Sequence, residues 1–579
     1  MKTIQKTDRG GVDETFTSRL IARCGRVSGL LVTTLAFALA ASPADAAKQA
    51  RSVKSIGEFQ MPIGDESQPA FNEVEIRTRI PMGVERLRQE KQRLQDAPDL
   101  GAPEDAGGQG ASDGSADAPA EPERDAAAPD AAPDPLTLST SCRTNVATGF
   151  APSDIHGASG PSVLVVVTNV DVGVYNNSNC ALISRVPLTT LFAGSIDIAN
   201  QTLFDPRVLY DRSSGRFLVT AESRDNRGNT DQYQYFAVST SSTASAWNRY
   251  QITLSRGTTR FCKVATNSFW DYPSAGKSAN RWFITANDFA ASGGATGAIL
   301  AIDKAPTLTG GTAGIVCWNN LQFNIAPPIV LDGLTSQSVF LYPRATSIGR
   351  YNHAAGATPT ADTLATATAY TIPSWSIPPD AVQPNGQRLD SIDGRFQSAS
   401  IQSRDRLWNV HAVASGSRPV VRWYRLQRTT STVLGTETYS GAATYHLFNP
   451  SFATNSGIDG SPAYLTLSRT IPTSPTGGRA AMIIGAGPNN TSADWSWSVA
   501  ATSSNQFATD GFGTPCNSTS RGSCRWGDYS STNVDPDGAG GGWGFNQLVN
   551  GTDQFSWFTV GRKKLYNVQS GPIARGAPD

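Results

Sequence analysis

Asp205-Pro206-Arg207-Val208-Leu209-Tyr210-Asp211, followed after a short turn by Gly215-Arg216-Phe217-Leu218-Val219, decides the fold of this chain. A tight polar turn opens the stretch and an aromatic-bearing strand follows. The same succession returns at Trp270-Asp271-Tyr272-Pro273 with Arg281-Trp282-Phe283-Ile284, and at Leu389-Asp390-Ser391-Ile392-Asp393-Gly394-Arg395-Phe396. It returns again at Asn449-Pro450-Ser451-Phe452 with Asp459-Gly460, and at Trp526-Gly527-Asp528-Tyr529 with Asp535-Pro536-Asp537-Gly538 and Trp543. Copies begin about 60 to 80 residues apart, and the wider gap between 272 and 389 leaves room for one more around Leu331 to Tyr342. A unit of that size holds about four strands and matches a propeller blade with long loops. Radial stacking explains how one domain grows so large, since each unit buries its apolar face on the next.

With the strand pair at 163–175 the count is seven units, and six is the alternative. The fold class is therefore all-β, a β-propeller, ahead of a long sandwich or a β-helix, whose rungs are much shorter. Apolar runs between the turns, Val163–Val167, Arg216–Thr220, Arg281–Thr285 and Ala481–Ile484, read as strands, and no long helical pattern interrupts them. The last strands, near Phe555 to Leu565, are expected to close the ring with the N-terminal ones.

Further out, residues 1–46 read as a secretory signal: Arg19, Arg23 and Arg26, an apolar run from Leu30 to Ala41, then Ala44-Asp45-Ala46. That run is too short to span a bilayer, and no later stretch comes closer. Residues 47–95 form a separate segment with one short amphipathic helix near Val84, Leu87 and Leu94, as a pro-segment, a docking helix or a spacer. Residues 96–137 hold eleven acidic residues against Arg124 alone, rich in Ala and Pro, and read as a disordered linker. The propeller is placed at 138–579.

Six cysteines remain beyond the signal, and an even number in an oxidising compartment favours disulfides over metal. Fifteen pairings are open; chain order favours Cys142–Cys180, Cys262–Cys317 and Cys516–Cys524. A secreted, disulfide-bearing domain of modest charge argues against nucleic acid as partner. The expected partner is an extracellular glycan or a surface protein, and the expected state is a monomer.

In these motifs the chain resembles secreted bacterial β-propellers of the sialidase-like (BNR) kind. Asp205 to Phe217, Asp271 to Gly276 and Arg525 to Gly538 carry the resemblance, which spans about residues 160 to 560. It implies the fold, and function only weakly, because one propeller architecture hosts binding, hydrolysis, elimination and scaffolding. The S-x-D-x-G-x-T-W turns of true sialidases have only partial counterparts here, at Ser492–Trp497 and Ser391–Phe396. No arginine triad, nucleophilic tyrosine or assisting glutamate is assigned.

Glycoside hydrolysis needs paired carboxylates, and beyond residue 137 there are two glutamates, Glu222 and Glu437. Asp211, Asp225, Asp271, Asp390, Asp393 and Asp528 form the aspartate pool, although an Asp beside Pro or Gly ordinarily caps a turn. None of the four histidines sits at a metal-ligand spacing. His353 and His446, each near a tyrosine, suit a general base for a lyase, with Tyr351 or Tyr445 as acid and an arginine to neutralise the sugar carboxylate. His411 alternates like a strand residue. The catalytic candidates are His353, His446, Tyr351, Asp271 and Asp528. Trp270, Trp375 and Trp526 are candidates for sugar stacking, with Arg395 as a ligand contact. No motif requires a cofactor; calcium is the ion that Asp459, Asp535 and Asp537 suit. The leading function is binding of an extracellular ligand, with a carbohydrate-active enzyme, hydrolase or lyase, and an envelope scaffold as alternatives. Titratable groups meeting in the funnel would favour the enzyme, and aromatics with few of them would favour binding.

Overall fold

Val163–Val167 forms a strand buried at every residue, whereas Thr363–Thr371 exposes most of its length, and that contrast gives the architecture of the computed structural model. A strand packed between two neighbouring sheets loses both faces to the core and reads as a continuous apolar run. A strand at a rim keeps one side in water. The structure describes residues 48–65, 138–144, 150–226, 231–262, 264, 268–290, 294–333, 337–511, 513–518, 522–536 and 541–565. The signal, the short helix and the acidic linker lie outside these residues.

The chain is an all-β propeller. Its strands run as consecutive antiparallel meanders, and the strands nearest the axis are, in order, His156–Ser159, Gln201–Asp211, Phe269–Lys277, Pro328–Val330, Ser400–Ser403, His446–Thr454 and Ser531–Val534; Pro328–Val330 precedes the three-stranded fourth meander, Ser338–Arg344, Ser347–Ala354 and Thr363–Thr371, without pairing into it. Each inner strand packs beside the next, and the last returns to the first. Five meanders form sheets of their own. The third and fifth share one ten-stranded sheet, because Pro328–Val330 pairs in parallel with the inner strand of each. Pro328–Val330 and Ser338–Arg344 fill the gap where the sequence leaves room for a further copy.

Ring closure is mixed, as the sequence leads one to expect. Trp557–Leu565 pairs antiparallel with Leu138–Arg143, so the last meander takes its outer strand from the start of the domain. Cys142 in that strand is bonded to Cys180 beside the first meander, which ties the seam. Cys262–Cys317 and Cys516–Cys524 complete the three disulfides in chain order.

Residues 48–65, part of the segment read in the sequence as preceding the linker, pair with strands of the propeller. Lys48–Val53 pairs with Ala313–Leu321, Ser55–Gln60 with Ala246–Arg256, and Gly64–Asp65 with Leu182–Pro187. The segment thus crosses the rims of the third, second and first meanders in turn, and occupies strand edges that would otherwise present unpaired backbone.

Candidate functional site

Pro206, Pro273 and Pro450 cannot donate to a ladder, and each lies at an irregularity of an inner strand. Pairing skips between Arg207 and Phe204, between Asp271 and Ser274, and between Phe448 and Ser451. The residue before each proline takes left-handed backbone, with φ 50° at Asp205, 59° at Tyr272 and 53° at Asn449. A bulge of this kind re-aims a side chain. All three meet Tyr529 of the last meander. The Tyr529 hydroxyl donates to Asp205 Oδ2 at 2.6 Å, Asn449 Nδ2 donates to the Tyr529 carbonyl at 3.0 Å, and the Tyr272 ring meets the Tyr529 ring edge-on at 4.9 Å. The repeated motif is therefore a device that turns one side chain per copy toward the axis.

Other meanders add to the same place. Asp154 Oδ1 accepts from the Asp528 backbone N–H at 2.8 Å, and the Tyr272 hydroxyl donates to the Asp528 carbonyl at 3.2 Å. Arg395 lies over the Tyr272 ring and holds Asp393 through Nε at 2.7 Å and Nη2 at 2.5 Å. Arg525 donates to Asp528 and stands 3.8 Å from Asp390. Arg207 lies over the Tyr529 ring and donates from Nε to the Pro273 carbonyl at 2.7 Å. Its two terminal nitrogens are buried and meet no hydrogen-bond partner among the described residues. Burial pushes the Tyr272 and Tyr529 phenols well above their ordinary value, so both act as neutral donors. Asp205, Glu222 and Asp271 bring three buried carboxylates within 4.8 Å of one another, close enough to share a metal ion.

The connections 373–399 and 503–530 reach this end, and they pair with each other where Leu389 lies beside Cys524. Gly394 takes φ 78°, and a Cβ there would stand 2.4 Å from the Trp375 indole, so only glycine admits this close approach. The first connection carries Asp380, Asp390 and Asp393. Burial, and then the charge of Asp390, pushes Asp380 up to about 6. Burial also raises Asp393, but the Arg395 guanidinium outweighs it and holds this carboxyl below its ordinary value. Asp393 keeps about a third of its side chain exposed. Asp380 thus keeps its proton to a higher pH than Asp393, the kind of difference that separates an acid from a base.

Of the residues singled out in the sequence, Asp271, Asp528 and Arg395 meet in this cluster. Others stand elsewhere. His353 is buried with Nε2 3.0 Å from Asp362, among Phe283, Trp318 and Phe340, where it fills a joint between the third and fourth meanders. The Tyr351 hydroxyl accepts from the Gln322 backbone N–H at 3.1 Å in the same joint. A lyase base and acid at these two positions is therefore corrected to packing. His446 begins an inner strand; its Nδ1 accepts from Val382 N–H at 3.2 Å and its ring also engages the Asp380 backbone, so it positions the connection that carries Asp380. His411 is held between the Gly394 carbonyl and the Tyr424 hydroxyl.

Trp270 and Trp526 are buried, with indole N–H groups on Gln234 and Ser468, which removes the faces that stacking on a sugar requires. Trp375 is half-buried and donates to the Arg344 carbonyl. The calcium expectation at Asp459 and Asp535 is also corrected. Asp459 pairs with Arg425 and Arg406, while Asp535 pairs with Lys563 at 2.7 Å and accepts from Trp543. Asp537 lies outside the described residues. Asp211 is shared by Lys277 and Lys304 at the opposite end of its strand. Sequence reasoning missed Asp154, Asp380 and the roles of Asp205, Arg207, Glu222, Tyr272, Arg525 and Tyr529. The X-Pro position common to Asp205, Tyr272 and Asn449 was the available signal.

The chain can now be set beside known proteins. It matches Trypanosoma rangeli sialidase in complex with sialic acid at 10% identity, over 62% of this chain and 53% of that one, with TM-score 0.32. A Hadza microbial sialidase matches at 12% identity, over 73% and 68%, with TM-score 0.35. An α-L-arabinofuranosidase of Fusarium graminearum matches at 8% identity over 74% of this chain and 97% of that one, with TM-score 0.32. The chain spans about half the length of the first sialidase. No family model and no curated protein matches it. Among the described residues no helix is long and apolar enough to cross a membrane.

Proposed function

We propose that the protein is a glycan-cleaving propeller whose site lies at the axial end where the repeated motifs meet. The observation that carries this reading is the meeting of titratable groups there, Asp380, Asp390, Asp393, Arg395, Arg525 and Tyr272, in place of an aromatic platform. Asp380, held partly protonated, passes its proton to the leaving glycosidic oxygen. Asp393, held ionised and partly exposed, faces the positive charge that develops at the anomeric carbon as the C–O bond breaks, and accepts a proton from the water that adds to that carbon. Arg395 keeps Asp393 charged, and the two guanidinium groups of Arg395 and Arg525 favour a substrate bearing an acidic group. Three disulfides suit an oxidising compartment, where extracellular glycans are the substrates at hand.

The competing reading, a binding module, is favoured by one feature: Arg395 and Asp393 already satisfy each other. A panel of neutral and acidic polysaccharides, followed by released reducing ends, separates the two. Turnover is expected, with Asp380→Asn slower by about 10²-fold or more, the usual worth of a general acid. Retention on a glycan without product would make the protein a binder. Turnover undiminished in Asp380→Asn would remove Asp380 from the mechanism.

A further inference from the structure

Away from the axis, three carboxylates from separate elements meet at one end of the second meander. Asp197 precedes the short turn Ile198–Asn200, Asp225 ends the strand Arg216–Asp225, and Asp231 precedes the strand Gln232–Ser239. One oxygen of each lies within 4.8 Å of an oxygen of the other two. Arg256 approaches Asp231 at 3.9 Å from a half-exposed position.

Tyr233 is the second observation. Its side chain is fully buried, and its hydroxyl has no hydrogen-bond partner among the described residues. Burial first and then Asp231 push the phenol up to about 12; Arg256 opposes them, and Asp197 and Asp225 add to the rise. A phenol beside carboxylates ordinarily donates to one of them. Among the described residues the hydroxyl makes no such bond, and Tyr233 lies two residues along the chain from Asp231, where the strand Gln232–Ser239 begins.

We propose that Asp197, Asp225, Asp231 and Tyr233 form a calcium site. Every donor is oxygen, as a hard cation requires, and a spread of up to 4.8 Å is what two ligands at about 2.3–2.6 Å from one ion allow. Magnesium demands shorter and more regular coordination, and zinc favours nitrogen and sulfur. The ion would join the segment entering the second meander to its second and third strands. This site is distinct from the buried Asp205, Glu222 and Asp271 cluster at the axis.

The test uses the full chain, freed of metal with a chelator and titrated with calcium chloride by calorimetry, with terbium luminescence excited through the protein as a second readout. One calcium is expected to bind and to raise Tm by a few degrees. Asp231→Asn, at a partly exposed position, is expected to weaken binding at least tenfold, and Tyr233→Phe several-fold. Glu222→Gln at the axial cluster should leave the affinity unchanged. No calcium binding by the metal-free chain would overturn the proposal, as would binding unaltered in both Asp231→Asn and Tyr233→Phe, or binding lost in Glu222→Gln alone.

Discussion

Asp362 shows how much a single buried carboxylate organises. It accepts from Arg281 Nε and Nη2, each at 2.9 Å, from His353 at 3.0 Å and from the Gly356 backbone at 2.7 Å. Removing one member of a buried ion pair leaves its partner uncompensated, so Asp362→Ala should lower stability by about 3–5 kcal/mol in chemical denaturation. A loss under 1 kcal/mol would mean that water replaces the carboxylate. At the axis, Tyr529→Phe removes the donor on buried Asp205 and should cost about 1–3 kcal/mol by the same measurement. Asp380 makes a kinetic prediction. A proton donor raised to about 6 is protonated below that pH and spent above it, so the rate should fall as pH rises through 6. That limb should vanish in Asp380→Asn; its persistence would place the titrating group elsewhere.

At the scale of elements, the segment Lys48–Asp65 covers the rims of three meanders. Rim strands offer unpaired backbone groups to other chains. A chain beginning at residue 138 should therefore aggregate at concentrations where the longer chain stays monomeric, as light scattering would show. Equal behaviour would make the segment dispensable for solubility. Repeat-level reading worked for the strands because their chemistry is local: β-branched and aromatic runs bounded by Gly, Asn and Pro. It missed the rim segment, since Ser55–Gln60 carries little apolar signal of its own and becomes a strand by pairing with Ala246–Arg256. The histidine at 353 was misread for a related reason. Tyr351-Asn352-His353 looks polar along the chain, yet the partners that bury it come from other strands.

For the whole molecule, buried titratable groups set a dependence on pH. Burial lowers His156 and His411 from 6.5 to about 3, and His446 to about 4. Between those values and 6.5 the unfolded chain binds protons that the folded chain refuses. Their contribution is complete above 6.5 and is lost as pH falls through the folded values. Asp288 and Asp380, raised to about 6, act with the opposite sign: their contribution is present below 3.8 and lost as pH rises through 6. Three histidines shifted further than two aspartates should prevail, so Tm is expected to fall between pH 7 and 4.5. A flat or rising Tm over that range would mean that these histidines are not held neutral. The sequence by itself determined the all-β class, the repeat, the disulfide chemistry and the positions where Pro interrupts a strand, because strand propensity, turn chemistry and a missing N–H act over a few residues. Tertiary structure alone decided that Asp205, Tyr272, Asn449 and Tyr529 meet, that Asp380 stands beside Asp390, and that His353 packs against Phe283. These residues lie far apart along the chain, and only closure of the ring, with the desolvation it brings, gives them a shared environment.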